Sequence, residues 1–455
     1  MLVGVSEIAS ACAIGSKGLR RSRGSRCSKG SSVTVLVDSI TRRRFVWLAA
    51  LAGGSLALGG CAADGADGSG AESSSGTMFD EPGKTGGEGA GGGQNPEDAA
   101  AAARAAVDER IGAMTLEQKV AQLFIVTPEA LVEGVSQVTQ AGEATHEGVT
   151  THPVGGIVYF AQNLLDPEQT TAMLANVKQF YADDGNAAPF IAVDEEGGTV
   201  VRIADNEAFG VQDVGDASAL GSAGDTEAAK RAAEQIADYL APLGFNLDFA
   251  PVADVVNPLR SDTMGLRSFS SDASVAADMV RAEVEGFRGK KMLCCAKHFP
   301  GIGAAAGDSH EGAITIDSTN EELETVDLVP FRAAIEAEVP MIMVGHVSLP
   351  NIVGDSTPAP LSSAVVQGML RDSLGYTGII VTDSLSMGAI TDYYTPAEAA
   401  VAALKAGCDI PLMPERFDEA YQGVLNAVQA GELTEERIDE SLIRILTAKQ
   451  EYFGL

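Results

Sequence analysis

The chain has 455 residues, 45% of them hydrophobic, and a formal net charge of −32. That length and composition suit a globular protein with a large buried core. Residues 1–60 hold nine Lys/Arg against two Asp/Glu; the other 22 basic and 61 acidic residues leave the rest at −39, a body that repels nucleic acid and anionic membrane surfaces.

The basic excess sits beside a targeting pattern. In ITRRRFVWLAALAGGSLALGGC (40–61) an arginine cluster precedes a thirteen-residue apolar run, Val46 to Leu58, and small residues lead to Cys61. The run is shorter than the ~20 apolar residues of a spanning helix. Thr41-Arg42-Arg43-Arg44-Phe45 resembles a twin-arginine export signal. Leu58-Gly59-Gly60-Cys61 resembles a bacterial lipobox, which implies lipidation at Cys61 and an exported, membrane-anchored protein at the cell surface. A plain secretory peptide with an incidental cysteine is the alternative. Residues 1–39 fit no signal layout, which points to an over-extended start, with Val33 as one candidate first residue. The expected organisation is an N-terminal extension and leader over 1–61, an acidic Gly/Ser-rich linker over 62–100 and a folded domain over 101–455. The linker has too few large apolar residues to offset its ordering entropy.

The folded part opens with a helical pattern through MTLEQKVAQLF (114–124), with Thr115 as N-cap. Short β-branched runs then alternate with amphipathic segments. The runs are QLFIV (122–126), GGIVYF (155–160), PFIAVD (189–194), LDFAPVAD (247–254), MLCCAKHF (292–299), PMIMVGH (340–346), GIIVTD (378–383) and CDIPLMP (408–414). Helices are expected between them, for example over 226–244 and 273–289. Continuous apolar strands alternating with helices imply a parallel sheet covered on both faces. Eight such units predict an α/β fold of the (β/α)₈ TIM-barrel type, a single catalytic domain whose active site lies at the strand C-termini. A doubly wound sheet would also put strand ends at a crevice, but no Gly-x-Gly-x-x-Gly follows the first strand. Cys294, Cys295 and Cys408 have apolar neighbours and no metal spacing, so they read as buried free thiols.

Several runs end on polar residues: Asp194, Asp254, Lys297-His298, His346 and Asp383. Taken alone, each has an ordinary structural reading. Asp383 could cap a helix, Asp308 could make an Asx-turn, and Lys297 could pair with Asp254 or Asp194. Arg202 and Arg267 could be surface charges, and His346 is as consistent with a core as with a pocket. Together on one barrel rim they suggest a nucleophile or electrostatic stabiliser at Asp383 and a His310–Asp308 acid/base pair. The stretch KHFPGIGAAAGDSHEG (297–312) carries two of the five histidines around small residues, which reads as two functional ends joined by a mobile bridge.

That stretch resembles the K-H-F-P-G-H-G-x₄-D-S-H signature of glycoside hydrolase family 3, in its β-N-acetylglucosaminidase branch. IAVDEEGGTVVRI, GFNLDFAPVADV, LRSF, GIIVTDSLSM and ALKAGCDIPLMP follow in the family's order, and the likeness spans roughly residues 105–455. It implies Asp383 as nucleophile and His310, supported by Asp308, as general acid/base of a retaining enzyme. It implies that Lys297, His298, Asp194, Arg202 and Arg267 bind the sugar. No metal or organic cofactor is implied. The expected activity is a β-N-acetylhexosaminidase removing terminal N-acetylglucosamine from glycans such as peptidoglycan fragments. A β-glucosidase, β-xylosidase or glycoside phosphorylase of the family, or a non-catalytic sugar-binding lipoprotein, are the alternatives. The α/β sandwich domain of many relatives is not expected. Ile302 stands where relatives keep a histidine and Ser384 where they often have an aspartate, which leaves loop aim and substrate preference open.

Overall fold

Apolar runs too short to stand alone bury their side chains by pairing edge to edge under a layer of helices. The computed structural model describes residues 96–257, 264–305 and 312–454. The leader, Cys61 and the linker up to residue 95 lie outside them. Nine strands occur among the described residues: β1 (Ile125–Val126), β2 (Gly156–Val158), β3 (Phe190–Val193), β4 (Leu247–Asp248), β5 (Leu293–Phe299), β6 (Ile314–Thr315), β7 (Met341–Val344), β8 (Val347–Ser348) and β9 (Ile379–Thr382). Seven form a parallel sheet in the order β1-β2-β3-β4-β5-β7-β9, and β6 pairs with β8 in a separate parallel ladder. Each predicted run from the first to the seventh contains one strand of the large sheet.

The eighth run makes isolated parallel bridges, Ile410 to Val381 and Leu412 to Ile125. The Thr382 N–H donates to the Ile410 carbonyl and the Met413 N–H to that of Ile125. These contacts link β9 to β1 and curl the sheet back on itself, giving a TIM-like domain. β4 is much shorter than its apolar run. Pro251 has no N–H to give a ladder, and beyond Asp248 only separate bonds join the chain to β5, such as the Cys295 N–H to the Ala250 carbonyl at 2.8 Å.

The outer helices follow their sequence signals. Thr115 caps Leu116–Ala121 through a capping box with Gln118. Thr226–Leu243 and Ala273–Gly289 begin at the side-chain caps Asp225 and Asp272. They approach so closely that a Cβ on Gly286 would stand 2.6 Å from the Lys230 carbonyl oxygen. The first helix spans Pro96–Ala113. Residues 96–100, expected in the linker, are therefore helical, because the alanine run that follows favours a helix over a tether. Cys294, Cys295 and Cys408 are buried and unbridged.

Candidate active site

A parallel sheet puts every strand's carboxyl end on one side. Asp194 after β3, Lys297 and His298 in β5 and Asp383 after β9 therefore converge. With Arg202 and Arg267 they line one cavity of about 620 Å³, within the ~300–1,000 Å³ usual for small-molecule sites. Phe160, Phe249, Met264, Met343 and Met387 supply apolar wall. Neighbouring residues of a strand normally face opposite ways, yet Lys297 and His298 both reach the cavity. The β5–β7 register shifts between Lys297 and Phe299, a bulge that re-aims the side chains.

Lys297 is buried, and its Nζ lies 2.7 Å from Asp194 Oδ1 and 2.6 Å from Glu196 Oε1. Arg267 grips Glu196 with two bonds, Nε to Oε2 and Nη2 to Oε1, both 2.8 Å. Burial opposes the charge on Glu196, but Lys297 and Arg267 outweigh it and hold the carboxyl at about 2. Burial likewise opposes the charge on Lys297, and Asp194 and Glu196 hold it protonated, above the usual lysine range. Two cations and two carboxylates thus form a closed set at the rim. Glu196 was not singled out from sequence, although its place in the Asp194-Glu195-Glu196 run at a strand end was the available signal.

Asp254 does not bind Lys297. Its Oδ2 accepts from His298 Nδ1 at 2.8 Å and from the His298 backbone N–H at 3.2 Å, while Oδ1 accepts from the Ile302 N–H at 2.7 Å. A fully buried carboxylate therefore fixes both the imidazole and the start of the loop that follows β5. That loop start is tightly packed, and the rest of the small-residue stretch, 306–311, lies outside the described residues. A Cβ on Gly303 would meet the Val255 carbonyl oxygen at 2.1 Å, and one on Gly301, at φ +112°, would meet Asp327 Cβ at 2.8 Å. The Asn257 N–H donates to the Gly303 carbonyl at 2.8 Å. Through Ala305 the glycines permit close approach of chain to chain. Ile302 lies on the cavity wall, nearly buried. Asp308 and His310 lie outside the described residues.

Asp383 is half-buried at the cavity wall and its backbone N–H donates to the Val344 carbonyl at 2.8 Å. Burial would raise its pKa, but His298, His346, the Ser384 N–H and Lys297 together hold it below the usual aspartate value. The group is ionised at neutral pH. His346 is a core residue and does not line the cavity: it is buried, and its Nε2 donates to the Ser384 carbonyl at 2.7 Å, bracing the turn behind Asp383. Glu195, also unremarked in the sequence, is fully buried beneath the loop that carries Arg202.

A carboxylate on one strand end, facing a cavity ringed by Lys, His and two Arg, suits recognition of a hydroxyl-rich ligand. The family model for the glycosyl hydrolase family 3 N terminal domain matches residues 115–448. The chain belongs to glycosyl hydrolase family 3. Among family relatives, the beta-hexosaminidase LpqI of Mycobacterium tuberculosis is 33% identical over 353 residues, covering 73% of this chain and 82% of the relative. Beta-hexosaminidase A of Pseudoalteromonas piscicida is 32% identical over 327 residues, 67% of this chain. The solved family 3 β-N-acetylglucosaminidase from Paenibacillus superposes with a TM-score of 0.70 at 38% identity, over 75% of this chain. This family 3 chain spans about half, 54%, of the Pseudoalteromonas protein and 63% of the Paenibacillus one.

Proposed function

We propose that this family 3 protein is a retaining β-N-acetylhexosaminidase that removes terminal N-acetylglucosamine from glycans such as peptidoglycan fragments. The observation that carries the reading is the state of Asp383. Of the cavity carboxylates, Asp194 and Glu196 are ion-paired to Lys297, whereas Asp383 is ion-paired to no described residue and stays ionised. A retaining enzyme needs such a carboxylate to attack the anomeric carbon and a second group to protonate the leaving oxygen. By the family resemblance the proton falls to His310, oriented by Asp308, while the cavity's other described carboxylates are ion-paired. The flanks of their segment, Ala305 and Ile314, both line the cavity, which supports that assignment. Lys297, His298, Asp194, Arg202 and Arg267 would hold the sugar hydroxyls. The domain reads as a complete eight-unit barrel, supported by the bridges on both sides of 410–412. The lipobox pattern supports export and anchoring through Cys61; Cys61→Ala should release the protein from the membrane fraction.

The test is release of nitrophenol from nitrophenyl N-acetyl-β-glucosaminide. Asp383→Ala should abolish it. His310→Ala should lose less on this activated substrate than on a natural disaccharide, because a good leaving group needs little protonation. Full activity in Asp383→Ala would sink the assignment. Faster cleavage of the matched glucoside or xyloside, or formation of a glycosyl phosphate on adding phosphate, would move the protein to another activity of the family.

A further inference from the structure

Among the described residues Arg202 lines the cavity with no acidic partner. Its Nε is buried without a hydrogen bond, Nη1 makes one long contact of 3.5 Å to the Val201 carbonyl, and the guanidinium sits 5.8 Å from the centroid of the Phe160 ring. A buried donor left without an acceptor is costly unless a ligand oxygen supplies one. What holds this cation in place is the main chain beneath it. Glu195 is fully buried and accepts four bonds. Oε2 takes the N–H of Arg202 at 2.6 Å and of Ile203 at 2.9 Å, and Oε1 takes the Ala204 N–H and the Tyr239 hydroxyl, both at 2.9 Å. Glu195 is itself tied down, its N–H donating at 2.9 Å to Oδ1 of Asp248, a fully buried residue of β4. Three consecutive amides on one carboxylate fix the loop by charge-assisted bonds, each stronger than a neutral pair.

We propose that Glu195 is a positioning residue that sets the Arg202 guanidinium for a sugar oxygen, with Asp248 as its footing in the barrel. The proposal rests on Arg202 being a substrate-binding residue. It explains why an acid with no access to the cavity stands between two acids, Asp194 and Glu196, that face it. A glutamine in its place would turn an amide NH₂ toward backbone N–H donors and break part of the cradle.

The experiment is a double-mutant cycle on nitrophenyl N-acetyl-β-glucosaminide with Glu195→Gln, Arg202→Ala and their combination. Glu195→Gln should lower kcat/KM about tenfold, mainly through KM. In the Arg202→Ala background the same change should cost less than about twofold, because the group it positions is gone. Tyr239→Phe deletes a single bond to Glu195 and guards against misfolding; its smaller rise in KM should also vanish when Arg202 is alanine. Equal losses with and without Arg202, for either variant, would overturn the positioning role, as would wild-type kinetics in Glu195→Gln. If Arg202→Ala alone leaves KM unchanged, the substrate-binding reading of Arg202 fails instead, and the proposal fails with it.

Discussion

Replacing Glu196 by glutamine should destabilise the protein by about 3 kcal/mol at neutral pH. The Glu196 carboxyl sits at about 2 in the folded chain against 4.5 for a free glutamate. At 1.36 kcal/mol per unit, that shift is worth about 3 kcal/mol. The figure matches the ~3–5 kcal/mol typical of removing one partner from a buried ion pair. For roughly 350 ordered residues it corresponds to a fall in Tm of about 4 °C. The sign fixes the pH dependence. The folded pKa is depressed, so between about 2 and 4.5 the unfolded chain binds the extra proton. The stabilisation is complete above 4.5 and is lost as the pH falls toward 2. Urea unfolding of wild type and Glu196→Gln at pH 7, 4 and 3 should show a gap that is widest at pH 7 and narrows with acid. A gap below about 1 kcal/mol at pH 7, or one that ignores pH, would refute the view that Lys297 and Arg267 depend on this carboxylate.

Two further substitutions probe other parts of the fold. Gly303→Ala should cost about 1–3 kcal/mol and lower activity, because its Cβ would collide with the Val255 carbonyl oxygen; unchanged urea unfolding would refute that collision. Lys449 is fully buried, with its Nζ 3.1 Å from Gln122 Oε1 and 4.8 Å from the centroid of Phe190. Burial, with a smaller push from Arg110, lowers its pKa from 10.5 to about 7. The folded chain therefore pays for holding this proton at neutral pH. Lys449→Met should stabilise by about 2 kcal/mol at pH 7, after the cost of leaving Gln122 Oε1 unpaired. That gain should shrink as the pH rises from about 7 to 10.5, and destabilisation at pH 7 would contradict it.

The alternation of β-branched runs with amphipathic segments was legible in the chain because hydrophobic burial acts through local periodicity. The cap at Thr115 marks where a helix begins for a similarly local reason. The polar strand ends were legible too, since a charged residue closing an apolar run has few uses in a core. Pairing among those residues was legible only as a choice, Asp254 or Asp194 for Lys297. Lys297 binds Asp194 and Glu196, while Asp254 takes His298, and partners from separate strands leave no spacing to read.

The sequence alone therefore determined the parallel α/β architecture and the rim where charge collects, because both follow from the order of apolar and polar residues along one segment at a time. Only the tertiary structure decided that a shift in β5 turns Lys297 and His298 to the same cavity. It also decided that Glu195 lies under Arg202 and that Gly301 and Gly303 are packed seats for neighbouring chain. Each of these depends on which main-chain and side-chain atoms meet across distant segments, and contact of that kind exists only once the sheet has curled round and brought its strand ends together.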